Sequence, residues 1–304
     1  MVRNLVSLFS AVLLICQCFS TFVYADTHKP LTNQANSHLV WKATVGNSTL
    51  YLMGSIHFGL PSMYPLPDRI MKAFNSADTL MVEVDIREDA SASAAPLIME
   101  YGFYRDGSSL ADRLSAAQYK RLEQTLTKLG IPIESILPQK PWLVVLGLTA
   151  YSVKTLGFSD QLGVDRYFLD RASNKTVVQL ETLGKQIKLM DGFSDKEQVW
   201  MLDQSLDELD VASVELEKML HSWKMGDAKA MLQQTAQEFQ GEKIGNHVFQ
   251  KIILDRNHSM NTTIENIAST KAGIYFIVVG AGHLVGPEGM PALLKATGHS
   301  VQRF

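Results

Sequence analysis

Cysteine is nearly absent from this chain. Its 304 residues hold two, Cys16 and Cys18, and both lie in an apolar N-terminal stretch. Arg3, the apolar run from Leu5 to Ile15 and the small residue of Val23-Tyr24-Ala25 before Asp26 give this stretch the form of a secretory signal. Cleavage after Ala25 is the expectation. An uncleaved anchor is disfavoured because the run is short for a membrane span, and Leu13-Leu14-Ile15 lacks the small residue that precedes a lipidated cysteine. The mature chain then has no thiol. That excludes disulfides, thiolate metal sites and a cysteine nucleophile, and leaves an exported protein stabilised by its core alone.

Charge of one sign is also lacking. The formal net charge is −3, and no basic stripe invites a nucleic acid. Beyond the signal there is no long apolar run: Trp142 to Ala150 is the most apolar stretch and is too short to span a bilayer. The expectation is an exported protein, periplasmic or secreted, with no stable membrane span. Several catalytic signatures are missing as well: no Gly-x-Ser-x-Gly elbow, no Walker loop, no Gly-x-Gly-x-x-Gly opening a helix and no His-Glu-x-x-His helix.

What the chain does have is the segment Gly-x-x-His twice. Gly54-Ser55-Ile56-His57 follows the β-prone run Thr49 to Met53. Gly280-Ala281-Gly282-His283 follows Ile274 to Val279. Glycine suits unusual backbone angles or close approach, and each histidine is followed by turn residues: Gly59 and Pro61 after the first, Gly286, Pro287 and Gly289 after the second. A sheet can set two strand ends side by side however distant they are in sequence, and ligands of open α/β sheets bind at the carboxyl ends of strands.

The organisation supports that reading. His38 to Val45, Gly46-Asn47-Ser48 and Thr49 to Met53 predict a β-hairpin. Thr79 to Asp85 predicts a strand buried on both faces, and Thr176 to Glu181 another. Helices are expected over Pro67–Phe74, Ser115–Leu129, Pro141–Leu156 and Gly163–Ala172. Others are expected from the capping box Ser194-Asp195-Lys196-Glu197 to Trp223, then over Ala228–Phe239, Asn246–Ala268 and Pro287–Ala296. A terminal strand spans His299–Phe304. The prediction is an α/β protein: signal peptide 1–25, flexible leader 26–37 and one domain over 38–304. Its central mixed sheet is built from both ends of the chain, with flanking helices and a helical middle insertion.

Glu83 sits among Leu80-Met81-Val82 and Val84, where a carboxylate is costly to bury unless paired or bound to a metal; a solvated edge-strand carboxylate is the plainer reading. Glu181 ends its strand similarly. Asp165 and Arg256 could complete the group as carboxylate and cation, or be an ordinary ion pair or helix cap. Two histidines with one or two carboxylates are the donor types expected at a divalent-metal hydrolytic site.

Taken together, Leu52–His57, Met81–Asp85, Gly163-Val164-Asp165, Leu180-Glu181-Thr182, Arg256-Asn257 and Val278–Gly286 resemble the TraB/GumN family, which includes the Tiki-type metalloproteases. The resemblance runs from about Trp41 to Arg303. It implies a fold akin to the erythromycin-esterase and ChaN-like proteins, and a site made by both Gly-x-x-His motifs, with Gly54 and Gly280, a strand glutamate and an arginine. It further implies His57 and His283 as ligands of a divalent metal (Mn, Co or Zn), Glu83 as a ligand or general base, and Arg256 as oxyanion stabiliser. The function it implies is a metal-dependent hydrolase acting on peptide or protein. The alternatives are a non-catalytic metal-, haem- or peptide-binding protein and an accessory factor in exopolysaccharide production.

Overall fold

The computed structural model describes residues 38–87, 94–236, 239 and 242–304. The expected signal peptide and leader lie outside the described residues. Among the described residues no helix is long and apolar enough to cross a membrane.

The described residues open with the expected hairpin. Strands β1 (Val40–Val45) and β2 (Ser48–Ser55) pair antiparallel from Val45↔Ser48 to Val40↔Met53. Gly46 makes the turn at φ 54°, a backbone region that costs glycine nothing. Helix α1 (Asp68–Ser76) leads to β3 (Thr79–Val82). A largely helical middle follows: α2 (Ala94–Tyr101), α3 (Ala116–Leu129), α4 (Pro141–Thr155) and α5 (Val164–Leu169), then strand β4 (Thr176–Gln179). Next come α6 (Leu183–Asp191), α7 (Asp195–Glu208), α8 (Ala212–Met225), α9 (Ala228–Ala236) and α10 (Lys243–Phe249). A π turn over Gln250–Leu254 joins α10 to α11 (Asp255–Thr270). Strand β5 (Ile274–Gly280), a 3-10 turn (Ala281–Leu284), α12 (Met290–Ala296) and β6 (Ser300–Arg303) close the chain.

The six strands form one mixed sheet in the order β4-β3-β5-β2-β1-β6. The four strands β4, β3, β5 and β2 run parallel, and β1 is antiparallel to both β2 and β6. Five strands come from the two ends of the chain, as expected, and β4 is lent by the helical middle. Central strands β3 and β5 are buried almost throughout, which requires helices on both faces. Helix α4 is apolar nearly all round because it is interior: its residues from Pro141 to Leu146 are all buried, and it packs on α7.

Capping chemistry explains several boundaries. Ser115 and Gln118 form a capping box at α3, and Gly130 ends that helix in the left-handed conformation at φ 71°. Ser194 and Glu197 do the same at the start of α7.

Some expectations are corrected. Strand β3 ends at Val82, not Asp85, so Glu83 lies one residue beyond it. The Gly280 N–H on neighbouring β5 is taken by the Glu83 carboxylate (2.6 Å) rather than by a ladder carbonyl. Glu181 likewise lies two residues past β4, with its own N–H on the Glu83 carbonyl (2.9 Å). The helix expected over Asn246–Ala268 is two helices joined by the π turn. The stretch expected to run to Trp223 breaks between α7 and α8. Helices α2 and α6 went unread; α6 starts on the Thr182 cap directly after Glu181 and contains Gly184, which makes Leu183-Gly184-Lys185 look like a loop.

Candidate functional site

Parallel strands point their carboxyl ends the same way, and here four of them deliver polar residues to one edge. His57 follows β2, Glu83 follows β3, Glu181 follows β4 and His283 follows β5. Ser55 pairs with Gly280 in the β2–β5 register, so the two Gly-x-x-His segments leave adjacent strands one residue out of step. All four side chains are buried, as are Asp165 on the first turn of α5 and Arg256 and Asn257 on the first turn of α11. The solvated-carboxylate reading of Glu83 is therefore overturned: the residue is 1% exposed.

His57 is held by its Nδ1, 2.6 Å from Asp165 Oδ2. Burial alone would pull this ring's pKa down. The Asp165 carboxylate, by charge and by hydrogen bond, and the Glu83 carboxylate outweigh that, so His57 is held above the ordinary histidine value. His283 behaves oppositely. Burial, with the positive charges of Arg256 and His57 adding to it, pushes it well below the ordinary value, so it is a neutral imidazole. Its Nδ1 lies 2.6 Å from Asn257 Oδ1. Its Nε2 makes no hydrogen bond and stands 3.8 Å from Glu83 Oε1.

Arg256 organises the carboxylates. Its Nε and Nη2 donate to Glu181 Oε2 at 2.8 and 2.6 Å, and Nη2 also donates to Glu83 Oε2. Its Nη1 donates to the Ile252 carbonyl at 3.1 Å, an oxygen inside the π turn. π turns inside helices are frequent at functional sites because they re-aim the next residues. Gln186 Nε2 completes the shell of Glu181 at 3.2 Å. For Glu83, burial raises the carboxyl pKa above the ordinary range, and the lowering by Arg256, His57 and the Gly280 N–H does not cancel it.

The two motif glycines do different work. Neither Gly54 nor Gly280 has positive φ. A Cβ on Gly54 would come 3.1 Å from Leu39 Cβ and 3.2 Å from Ala281 Cα, so this glycine permits close approach of the two loops. Gly280 serves through its N–H to Glu83. A second close approach holds His57. The Val164 N–H donates to the Ile56 carbonyl at 3.0 Å, and a Cβ on Gly163 would lie 2.2 Å from the His57 carbonyl oxygen.

The structure thus brings together all the expected residues: His57, Glu83, Asp165, Glu181, Arg256 and His283, with Gly54 and Gly280. Sequence reasoning missed two members. Asn257 holds His283; it stands in the Arg256-Asn257 segment of the family resemblance, which implies no role for it. Trp223 donates its indole N–H to the Gly54 carbonyl at 2.7 Å, and nothing in the sequence marks it.

Toward a metal, the fit is partial. Among the described residues no three His, Cys, Asp or Glu side chains stand together in ligand arrangement. Two donors do face one another, His283 Nε2 and Glu83 Oε1, and each histidine has its Nδ1 engaged by a polar partner, the usual support for a ligating Nε2.

The model of the TraB/PrgY/gumN family matches residues 39–303, nearly the whole described chain. The chain belongs to the TraB/PrgY/gumN family. Curated relatives agree in length. The YbaP protein of Escherichia coli (strain K12) is 26% identical over 265 residues, which cover 85% of this chain and 94% of YbaP. A Treponema pallidum (strain Nichols) protein is 20% identical over 270 residues, covering 84% of this chain and 80% of its own. Both are described as uncharacterized, so neither brings an activity with it. No solved structure matches the chain.

Proposed function

We propose that this TraB/PrgY/gumN protein is a metal-dependent hydrolase, acting on peptides after export and removal of residues 1–25. The observation that carries the proposal is the buried, hydrogen-bond-free Nε2 of neutral His283 aimed at Glu83 Oε1 across 3.8 Å. A buried polar atom without a partner costs about 1–3 kcal/mol, and an electrophile between nitrogen and carboxylate would recover that cost.

A bound divalent ion (Mn, Co or Zn) would supply Lewis-acid polarisation of the scissile carbonyl. The chain's residues do the rest. His57 and His283 would hold the ion through Nε2. The raised pKa of Glu83 suits a group that takes a proton from attacking water and returns it to the leaving amine. Because the His57 ring is held above its ordinary pKa, ion binding would release its proton, and affinity would fall in acid. The resemblance implies that Arg256 stabilises an oxyanion; four of its five N–H donors are engaged by Glu83, Glu181 and Ile252, so in this reading the main work of Arg256 is to fix Glu83.

One observation favours a second reading, a holding site without turnover: His57, Glu83, Arg256 and His283 are each at most 4% exposed, so a peptide needs an opening motion to reach them. Glu83→Gln separates the two. The mature protein, loaded with Mn²⁺, Co²⁺ or Zn²⁺, is incubated with a proteome-derived peptide mixture and cleavage is read by mass spectrometry. Cleavage by wild type, lowered at least about 100-fold in Glu83→Gln, is the expected result. Metal retained by a folded wild type that cuts nothing would replace the hydrolase with the holding site.

A further inference from the structure

We propose that Asn257 is a positioning residue that locks His283 in its Nδ1–H tautomer and so turns the Nε2 lone pair toward Glu83. The amide settles its own orientation. Asn257 Nδ2 lies 2.8 Å from the Glu288 carbonyl oxygen, an atom that can only accept, so the NH2 end of the amide must point there. The other end, Oδ1, is then the atom 2.6 Å from His283 Nδ1, and an acceptor at that distance requires a proton on Nδ1. A neutral ring protonated on Nδ1 carries its lone pair on Nε2. That nitrogen is the one without a hydrogen bond, 3.8 Å from Glu83 Oε1. The opposite tautomer would set two lone pairs against each other at 2.6 Å inside a site where Asn257 and His283 are both 0% exposed.

The lock has a foundation in the turn residues after His283. Gly286 sits at φ 87°, a conformation only glycine takes without strain. A Cβ on Gly289 would lie 2.6 Å from the Val285 carbonyl oxygen. These two glycines bend the segment Gly286-Pro287-Glu288-Gly289 back so that the Glu288 carbonyl meets Asn257. The Glu288 side chain is tied to His258 of α11 at 3.2 Å, which closes the same loop from outside. The Gly286-Pro287-Glu288-Gly289 turn is thereby part of the site's construction.

The tautomer is inherent in the apo protein. Only its consequence, a ligand-ready Nε2, rests on the hydrolase reading. The test is a long-range ¹⁵N–¹H correlation spectrum of the histidine rings in metal-free, ¹⁵N-labelled mature protein near pH 8, with His283 assigned by comparison with His283→Gln. The expected result is a single Nδ1–H form for His283 in wild type, its loss in Asn257→Ala, and its recovery in Asn257→Asp, which restores an acceptor. Gly289→Ala, which displaces the Glu288 carbonyl, should mix the two forms. Zn²⁺ affinity should fall about 10–100-fold in Asn257→Ala and recover in Asn257→Asp. A wild-type ring protonated on Nε2 overturns the proposal, even if no variant folds. So does a wild-type ring pattern in folded Asn257→Ala. The expected tautomers with no Zn²⁺ binding in wild type would sustain the lock and sink the metal reading instead.

Discussion

Arg256→Met is expected to lose about 3–5 kcal/mol of stability, the cost of leaving buried carboxylates without their cation. Arg256 donates three hydrogen bonds to Glu83 and Glu181, and all three residues are at most 4% exposed. Methionine keeps most of the volume, so packing loss is not the main term. The sign with pH follows from proton uptake. Without the guanidinium, Glu83 binds a proton in the folded state over a range where the unfolded chain has already released it. The folded state then holds more protons, and stability falls as pH rises. Wild-type Glu83, already raised by burial despite Arg256, leans the same way more weakly. The deficit of Arg256→Met against wild type should thus be larger at pH 8 than at pH 5 in urea titrations. Adding Glu83→Gln and Glu181→Gln to the variant should restore most of the loss, because a neutral polar group is far cheaper to bury than a charge. A single variant within about 1 kcal/mol of wild type at pH 8 would show that the buried charges are not coupled as the geometry requires.

Gly59→Ala carries the second large effect, a loss of about 3 kcal/mol. A Cβ there would lie 1.8 Å from the Leu162 carbonyl oxygen and 2.6 Å from its carbon, and both neighbours are backbone. Gly59 also exchanges two main-chain hydrogen bonds with Ser159, at 2.8 and 2.9 Å. The clash therefore cannot be relieved by a side-chain rotation. It pushes the Ser159–Gly163 segment away from the His57 loop, and Asp165 rides on the helix that follows that segment. The His57–Asp165 contact should loosen along with the fold. Gly147 provides an internal comparison, being helical with nothing within 4 Å of an added Cβ. Gly147→Ala should be neutral or stabilising by up to about 1 kcal/mol. Thermal unfolding of the two variants side by side checks both signs, and equal behaviour would remove the interlock between these loops.

The centre of the sheet was legible in the sequence because β3 and β5 are almost wholly apolar runs, and such runs have one good home, between two layers of helices. Each Gly-x-x-His segment was visible as polar residues directly after such a run, and parallel pairing of β2 with β5 explains why they meet. Strand ends were harder to read. Val82-Glu83-Val84-Asp85 keeps a strand's composition, yet the Glu83 carboxylate takes a neighbour's N–H and pairing with β5 stops at Val82. The π turn before Arg256 was invisible because Gln250 to Leu254 has the composition of ordinary helix and its register is set by packing. Arg256 showed itself as a cation near motif residues, but its two carboxylate partners lie just past strands β4 and β3, 75 and 173 residues away, a distance that sequence spacing cannot resolve. Trp223 acts through one side-chain hydrogen bond and Asn257 through two, and isolated contacts of this kind leave no periodicity to detect.

The most direct measurement is the metal content and affinity of the purified mature protein, by elemental analysis and calorimetric titration with Mn²⁺, Co²⁺ and Zn²⁺, beside His57→Ala and His283→Ala. One ion per wild-type chain, lost in both variants while circular dichroism stays unchanged, is the expected result. A folded wild type that binds none of the three ions, or variants that bind as wild type does, would contradict a metal held between the two Gly-x-x-His loops.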